Sequence, residues 1–370
     1  MCFVLPSLAG GGAERAAVQI LNGLDEARWD RSMYLFRAEG PYLGELSSAV
    51  RLHAGKTCSR FGRWRELRRF IAKTKPDLVV AFLSYFTVLS AVRAALTGAK
   101  VIFSQQTPMS AFLADADYQW RRPARRRGFS AMARLGYAAA DLVITSSRGV
   151  ARDLSEEFGV DPSRLRVVPN PVDLDAVQAA AAEPLDPADQ ERWRRPVIVA
   201  AGRLADAKNY PLLIEALALV RAQVPATLFV LGEGERAGDL RRLAAERGLA
   251  DAIVWCGFQS NPWKYMSRAD VFALTSRYEG FGNVLVEAMA CGVPAVATRS
   301  PGTEDIIRDG VDGLLAGHTP QAVAGLLTRV LVDASERDRL ATAARESAGR
   351  FEARTVAQSY SVVFDEAVAR

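Results

Sequence analysis

Two glutamates, Glu279 and Glu287, stand eight residues apart in the run Thr275–Val296. Gly280 and Gly282 follow the first of them and reverse the chain between an apolar strand and a helix with core-facing spacing. The first N–H groups of that helix are expected to be unpaired and directed at the turn, which suits a phosphate. Carboxylates accept hydrogen bonds from sugar and ribose hydroxyls. The run therefore predicts a site for both groups, although each glutamate alone could be a solvated helix or turn residue.

The same run carries a family resemblance. EGFGNVLVE, followed by AMACGVPAVAT, resembles the donor-site signature of retaining glycosyltransferases of the GT-B fold, especially family 4. The resemblance implies that Glu279 contacts the sugar hydroxyls without acting as a nucleophile and that Glu287 holds the ribose. It also implies donor contacts from the turn and the helix start, at Gly280, Phe281, Gly282, Asn283, Val284 and Leu285.

A second strand-to-helix loop brings two cations to the predicted donor site. The strand Val197–Ala201 leads into Gly202, Arg203 and, five residues later, Lys208. Fixed cations there would stabilise a departing diphosphate, and in form they are the family's diphosphate-binding pair; structural ion pairing is the alternative. We predict Arg203, Lys208 and Glu279 as the catalytic residues.

Two further loops are expected to flank the nucleotide base. They follow apolar strands and contain Gly232 and Phe258. In the family, backbone groups read the edge of the base at these loops, so side chains say little about uracil or guanine. Sequences with this pattern most often resemble users of UDP-sugars.

The first half of the chain begins with a strand and a glycine loop, GGAER. A loop of this kind is a weak signal alone, but the resemblance places Gly11 and Gly12 near the donor diphosphate and the acceptor. Many relatives carry a histidine after the strand that matches Val101–Ser104, and this chain has Gln106 instead. An amide binds sugar oxygens but carries no charge. We therefore expect this donor-binding position to affect sugar specificity or turnover.

Aromatic and basic side chains are concentrated in the segment that follows. Such a combination suits a bilayer interface with anionic lipid, and the family's first domain holds the acceptor, so we predict acceptor or membrane contact here. Ordinary surface is the alternative, and nucleic acid is disfavoured because no such motif accompanies the charge. The predicted residues are Phe112, Trp120, Arg121, Arg122, Arg125, Arg126 and Arg127. Asp115 and Asp117 form a chance resemblance to a metal-binding motif, and we expect no metal site.

Composition bounds the class of protein. The 370 residues are 49% apolar and 24% charged, as in soluble globular proteins. Four scattered cysteines and two histidines indicate neither disulfides nor zinc. Residues 1–172 carry 25 Lys and Arg against 15 Asp and Glu, which leaves 22 and 27 for the remainder. The basic first half points to an anionic partner.

Apolar strands alternate with helical segments along the whole chain, which predicts parallel sheets. We expect an α/β protein of the GT-B fold, with two Rossmann-like doubly wound domains facing across a cleft. Residues 1–172 are predicted to form the acceptor domain, joined by a C-terminal helix at about 352–370. Residues 173–351 are predicted to form the nucleotide-sugar domain.

The resemblance implies a retaining, metal-independent transferase without a cofactor. It would move a hexose or N-acetylhexosamine from a nucleotide sugar, UDP-sugar by preference, to a glycan on polyprenyl diphosphate. No run of eighteen apolar residues is present, so we expect no transmembrane helix and no signal peptide. The expected location is the cytoplasm, on the inner face of the membrane. A UDP-sugar epimerase of the same fold and an inactive sugar-nucleotide-binding partner subunit are the alternatives.

Overall fold

The computed structural model describes residues 1–83, 85–114 and 123–370, except for the side chains of residues 123–127. The chain divides into two compact units. Unit 1 comprises Met1–Ala114, the described residues up to Val172, and Phe351–Arg370. Unit 2 comprises Asp173–Arg350. Trp120, Arg121 and Arg122 lie outside the described residues.

Unit 1 contains a seven-stranded parallel sheet with the order β3-β2-β1-β4-β5-β6-β7. Its strands are β1 Cys2–Leu5, β2 Ser32–Leu35, β3 Arg51–Ala54, β4 Leu78–Phe82, β5 Lys100–Gln105, β6 Leu142–Thr145 and β7 Leu165–Val167. Its helices up to this point are α1 Gly12–Gly23, α2 Arg60–Thr74, α3 Tyr85–Ala95, α4 Met109–Ala114, α5 Pro123–Ala139 and α6 Arg148–Phe158. The neighbours of β1 on the two sides are β2 and β4, so the crossover direction reverses there.

Both faces of this sheet are covered, because successive strand residues point to opposite faces. In β1, Cys2 and Val4 belong to one apolar cluster, and Phe3 and Leu5 belong to another. All four side chains are fully buried. Continuous apolar runs therefore identified the central strands correctly.

Unit 2 contains a six-stranded parallel sheet with the order β10-β9-β8-β11-β12-β13. Two helices precede the sheet, α7 Leu174–Ala181 and α8 Pro187–Arg192. Its strands are β8 Val197–Ala201, β9 Thr227–Leu231, β10 Ile253–Gly257, β11 Val271–Leu274, β12 Ala295–Thr298 and β13 Leu314–Ala316. Its other helices are α9 Tyr210–Arg221, α10 Ala237–Glu246, α11 Trp263–Met266, α12 Asn283–Ala290, α13 Pro301–Ile306, α14 Pro320–Val332 and α15 Ala334–Ala348.

The last helix, α16 Ala353–Ala369, returns to unit 1. The Val172 N–H donates to Phe351 O at 2.8 Å, which joins the outgoing and returning segments. Phe364 of α16 packs edge-on against Phe3 and Trp29 at centroid distances of 6.0 and 5.9 Å. Two doubly wound α/β units confirm the predicted fold class.

Candidate functional site

Three loops lie side by side at the carboxyl edge of the unit 2 sheet, and they contain most of the predicted donor-site residues. Gly202 N donates to Leu231 O at 2.9 Å, and Gly232 N donates to Gly257 O at 2.7 Å. Gly202, Gly232 and Gly257 all have positive φ angles, of 146°, 146° and 68°. Their backbone conformations favour glycine, so the sequence determines how closely these loops approach one another.

Lys208 and Glu279 meet at this edge. Lys208 Nζ lies 2.5 Å from Glu279 Oε1, and the two side chains are 24% and 11% exposed. Ser276 Oγ donates to the same carboxylate oxygen at 2.6 Å. The Arg277 N–H donates to Ala207 O at 2.8 Å and so ties the loop after β11 to the loop after β8. The structure therefore brings together a cation and a carboxylate that the sequence separates by 71 residues.

Tyr210 supports the loop that carries Lys208. Its hydroxyl donates to Gly202 O at 3.0 Å. Burial, with a smaller contribution from the Glu279 charge, raises the pKa of Tyr210 well above its ordinary value. Tyr210 therefore stays a neutral hydrogen-bond donor and holds the start of α9 against the loop.

Arg203 has a different environment from Lys208. Its side chain is 68% exposed and lies 3.0 Å from Glu235 Oε2. The two predicted cations therefore contact different carboxylates in this structure. Exposed side chains of this length exchange partners at small energetic cost, which leaves Arg203 available to an anion.

The turn after Glu279 is closely packed. Gly282 adopts a left-handed conformation with φ 100° immediately before α12. Leu285 is fully buried and its N–H donates to Gly282 O at 2.9 Å, so this amide is engaged within the turn. Gly302 N donates to Glu279 O at 3.0 Å, and a Cβ on Gly302 would lie 2.6 Å from Phe281 O. The first turn of α13 therefore supports the turn directly.

The other predicted residues of this turn lie at the same edge. Gly280 and Phe281 are buried, whereas Asn283 and Val284, the first two residues of α12, are partly exposed. Asn283 and Val284 are therefore the residues of the helix start that a ligand can reach.

Glu287 is 7% exposed and accepts a hydrogen bond from Trp263 Nε1 at 3.1 Å. Trp263 is the first residue of α11, and sequence reasoning missed it. Burial, together with the Glu287 charge, raises the pKa of Cys291 to about 12. The indole donor fixes the orientation of the carboxylate that the family resemblance assigns to the ribose.

The predicted base loops present one exposed aromatic ring. Phe258 is 60% exposed, and its N–H donates to Glu233 Oε1 at 3.4 Å. Leu204 N donates to Glu233 O at 2.8 Å. Phe258 is therefore a ring available for stacking beside the loops that carry Gly202 and Gly232.

Three predicted donor-binding residues belong to unit 1. Gly11 is the residue before α1, and Gly12 begins that helix. Gln106 follows β5 directly, and its amide nitrogen donates to Ser104 Oγ at 2.9 Å. Its amide oxygen is buried without a protein hydrogen-bond partner among the described residues. Ser104 therefore fixes the amide, and its oxygen is a buried acceptor without a protein partner in the described part of the chain.

The predicted acceptor and membrane segment is described only in part. Phe112 lies on α4 and is half-buried against the unit 1 core. Arg125, Arg126 and Arg127 lie on α5, but their side chains, like Trp120, Arg121 and Arg122, are outside the described residues. Phe112 therefore contributes at least partly to packing.

Sequence reasoning missed Ser276, Tyr210 and Trp263. Ser276 stands three residues before Glu279, and a hydroxyl at that spacing in a turn was a usable signal. Tyr210 and Trp263 carried no signal, because only the tertiary fold brings their polar atoms to Gly202 and Glu287.

The comparisons with known proteins agree with this geometry. Residues 10–176 match the family described as Glycosyltransferase Family 4. Residues 185–347 match the family described as Glycosyl transferases group 1. The two matches fall almost entirely on unit 1 and unit 2, respectively.

Two curated bacterial proteins resemble the chain. One is the N-acetylgalactosamine-N,N'-diacetylbacillosaminyl-diphospho-undecaprenol 4-alpha-N-acetylgalactosaminyltransferase of Campylobacter jejuni, 35% identical over 48% of this chain and 47% of that protein. The other is the lipopolysaccharide core biosynthesis glycosyltransferase LpsE of Rhizobium meliloti, 32% identical over 60% of this chain and 63% of that protein. The chain thus spans between about half and just under two thirds of the length of these relatives.

A solved structure extends the likeness to the whole fold. The Anabaena protein Alr3699/HepE, in complex with UDP-glucose, aligns with a TM-score of 0.80 over 99% of both chains at 21% identity. Together with the two family matches, this alignment identifies the architecture. The chain belongs to the family 4-like glycosyltransferases and has their two-domain GT-B fold.

Proposed function

We propose that the protein transfers a hexose or N-acetylhexosamine from a UDP-sugar to a glycan on polyprenyl diphosphate, with retention and without a metal. The observation that carries the proposal is the Lys208–Glu279–Ser276 group beside three glycine loops at one sheet edge. A ligand bound at this edge contacts a cation, a carboxylate and closely spaced backbone groups. A nucleotide sugar suits these three features, because its diphosphate can pair with the cation, its hydroxyls with the carboxylate and its base with the backbone groups.

The leaving group is the part of the reaction that this site serves best. When the bond between the anomeric carbon and the diphosphate oxygen breaks, negative charge grows on the diphosphate. Lys208, held by Glu279, is a cation fixed near that charge, and Arg203 has an exposed guanidinium that supplies a second. We assign to these two cations the stabilisation of the departing diphosphate, a role that a bound metal ion plays in other enzymes.

The anomeric configuration is retained when the acceptor hydroxyl attacks the anomeric carbon on the same face from which the diphosphate departs. In the proposed step the acceptor hydroxyl oxygen bonds to the anomeric carbon, and its proton passes to the leaving diphosphate oxygen. Neither Glu279 nor Glu287 is assigned as a nucleophile. Glu279 accepts from Lys208 and Ser276, and Glu287 is buried beside the Trp263 indole.

The relatives support the proposed donor and acceptor. The name of the Campylobacter jejuni protein includes a diphospho-undecaprenol acceptor, and that of the Rhizobium meliloti protein refers to the lipopolysaccharide core. The Anabaena structure contains UDP-glucose. The family matches give no support to the epimerase or inert-partner alternatives.

The test is incubation of the full chain with radiolabelled UDP-sugars and lipid-linked glycans extracted from bacterial membranes, with and without EDTA. Label in the organic phase that survives EDTA is expected, and NMR of the product is expected to show the anomeric configuration of the donor. Isomerised UDP-sugar would instead indicate an epimerase. Binding of UDP-sugar without any product would indicate an inert partner.

Among the described residues, none of the helices combines the length and the apolar composition that a membrane span requires. Peripheral contact with the inner face of the cytoplasmic membrane is the arrangement we propose. Helix α2 offers a surface for it, because Leu67 and Ile71 are its buried residues and its exposed side is basic. Phe61 is 66% exposed and stacks on Trp64 at a centroid distance of 5.8 Å. Exposed aromatic rings beside arginines suit an anionic lipid surface.

Neutralising Arg60, Arg65 and Arg69 together, each to Gln, is expected to reduce binding to anionic vesicles at least about tenfold. Each cation near such a surface contributes about 1 kcal/mol, and all three side chains are exposed on α2. Co-sedimentation with vesicles of phosphatidylglycerol and phosphatidylethanolamine, at low and high salt, measures the effect.

A matched control removes the same charge from unit 2. Arg192, Arg194 and Arg242 are exposed there, and their triple change to Gln is expected to leave vesicle binding within about twofold of wild type. Equal losses in the two triple variants would show a response to net charge alone and would rule out α2 as the membrane contact.

A further inference from the structure

Glu14 stands at the edge of unit 1 where a ligand is expected. It lies in the first turn of α1, directly after the glycine loop that follows β1. Because β1 lies between β2 and β4, the crossovers leave this strand in opposite directions. Ligands of open parallel sheets bind beyond the carboxyl ends of strands at such a switch point.

The Glu14 side chain is folded back over the glycine loop. A Cβ added to Gly11 would lie 2.2 Å from Glu14 Oε2 and 3.0 Å from its carboxyl carbon. A side chain at position 11 would occupy this space, and the carboxylate would have to rotate away from it. The glycine loop therefore leaves room for the Glu14 carboxylate in the conformation seen here.

No cation in the described part of the chain forms an ion pair with Glu14. The neighbouring Arg15 guanidinium lies 5.3 Å from the centre of the Tyr42 ring and 3.9 Å from Glu45 Oε1. Within residues 1–83, 85–114 and 123–370, and leaving aside the undescribed side chains of 123–127, no ion pair to Glu14 is formed. Among the described residues, the carboxylate is a half-buried acceptor of hydrogen bonds without an ion pair.

Burial dominates the energetics of this group. Burial raises the pKa of Glu14, and a hydrogen bond from its own backbone N–H offsets only part of that rise. A glutamate in the first helical turn also gains from the helix dipole, yet the pKa is still raised. The native protein therefore holds a charge at a position that disfavours it, a pattern typical of functional positions.

We propose that Glu14 recognises the acceptor: its carboxylate accepts a hydrogen bond from a hydroxyl of the glycan. The inference rests on the proposed transfer reaction and narrows its substrate. A carboxylate is a strong acceptor for a hydroxyl and repels a phosphate. The part of the acceptor that reaches this loop is therefore an uncharged sugar, and any diphosphate of the acceptor lies farther along it. The same repulsion argues against the donor-diphosphate contact that the family resemblance implies for Gly11 and Gly12.

The test uses the full-length Glu14→Gln variant with octyl glycosides of neutral hexoses and N-acetylhexosamines, and with the 6-phosphates of the same glycosides. The variant is expected to lose about tenfold in kcat/KM for neutral glycosides, mainly through the acceptor KM, because a charge-assisted hydrogen bond is replaced by a weaker one. The KM for UDP-sugar stays within about twofold of wild type. The ratio of phosphorylated to neutral glycoside turnover rises, because the repulsion is gone.

Stability provides the readout that separates this role from a structural one. Glu14→Gln is expected to raise Tm at neutral pH, because the variant removes a desolvated charge and keeps the shape of the side chain. The matched change Glu39→Gln removes an exposed carboxylate of the same unit, and it is expected to alter neither acceptor KM nor Tm measurably. A structural Glu14 would instead lose stability and leave the acceptor kinetics unchanged, which would overturn the proposal.

Direct binding distinguishes failure of this inference from failure of the proposed function. Saturation-transfer NMR of a neutral octyl glycoside is expected to show binding by the wild type and a marked loss in Glu14→Gln. Equal signals from the two proteins would overturn the role of Glu14, even where transfer is active. Binding that depends on Glu14 without any transfer by the wild type would support the role and would contradict the transferase proposal alone.

Discussion

Lys208→Ala is expected to lower kcat about a hundredfold and to change the KM for UDP-sugar much less. The Lys208 side chain is 24% exposed, and its Nζ lies 2.5 Å from Glu279 Oε1. A cation fixed and partly desolvated in this way acts most strongly on charge that develops during the reaction. In the proposed transfer that charge is on the departing diphosphate. Steady-state kinetics at saturating acceptor measure the effect.

Two further variants separate catalysis from stability. Lys208→Ala leaves Glu279, 11% exposed, without its ion pair, so part of any loss could come from unfolding. Lys208→Ala/Glu279→Gln removes the stranded charge, and we expect thermal stability to recover while kcat stays low. Arg247→Ala breaks the 2.7 Å ion pair between Arg247, the residue after α10, and Glu215 of α9, and it should keep nearly normal kcat. Near-normal turnover in Lys208→Ala would contradict its assignment.

Arg203→Ala is expected to reduce turnover at least about tenfold by the same mechanism. Its guanidinium lies 3.0 Å from Glu235 and is largely exposed, so the donor diphosphate would have to draw it from that partner. Arg203→Ala leaves only the exposed Glu235 without its partner, and we expect thermal stability close to wild type. A loss of turnover without a loss of stability would therefore identify a role in the reaction.

The fold could be predicted wherever burial of an element produces a recognisable apolar pattern in the sequence. Helix α12 starts at Asn283, directly after the glycine turn that the sequence predicts, because Gly282 in a left-handed conformation precedes it. The edge strand β3 was missed, because Arg51–Ala54 is largely exposed and has no apolar run. Strand β13 was missed because three residues, Leu314–Ala316, are too few to show a period.

The site could be predicted as a set of residues but only partly as a set of contacts. The spacing of Arg203 and Lys208 correctly indicates one loop. The partners of such long side chains depend on the tertiary structure, and here the two cations contact different carboxylates. Trp263 reaches Glu287 across 24 residues of sequence, a distance that no local pattern spans. Glu14 and Arg15 are adjacent in sequence, which would suggest that the Arg15 charge compensates the Glu14 charge. In the structure the Arg15 guanidinium instead lies near Tyr42 and Glu45.

Gly232→Ala is expected to lower the free energy of unfolding by at least about 2 kcal/mol and to weaken UDP binding at least about tenfold. Gly232 has φ 146°, and an added Cβ would lie 2.1 Å from Gly202 O. The clash is with backbone, which cannot rotate away as a flexible side chain would. Relief requires separation of the loops after β8 and β9, which carry Arg203 and the predicted base contacts. Urea denaturation and calorimetry with UDP measure the two effects.

The same substitution six residues later should have the opposite effect on stability. Gly238 lies inside α10, and an added Cβ would meet no atom within 4 Å. Alanine is favoured over glycine in a helix by about 1 kcal/mol, so Gly238→Ala is expected to stabilise unit 2 slightly and to leave UDP binding unchanged. Because the chemical change is identical, a difference in sign isolates the loop contact as the cause. If Gly232→Ala matched wild type in both stability and UDP binding, the close approach of Gly202 and Gly232 would have no part in shaping the donor site.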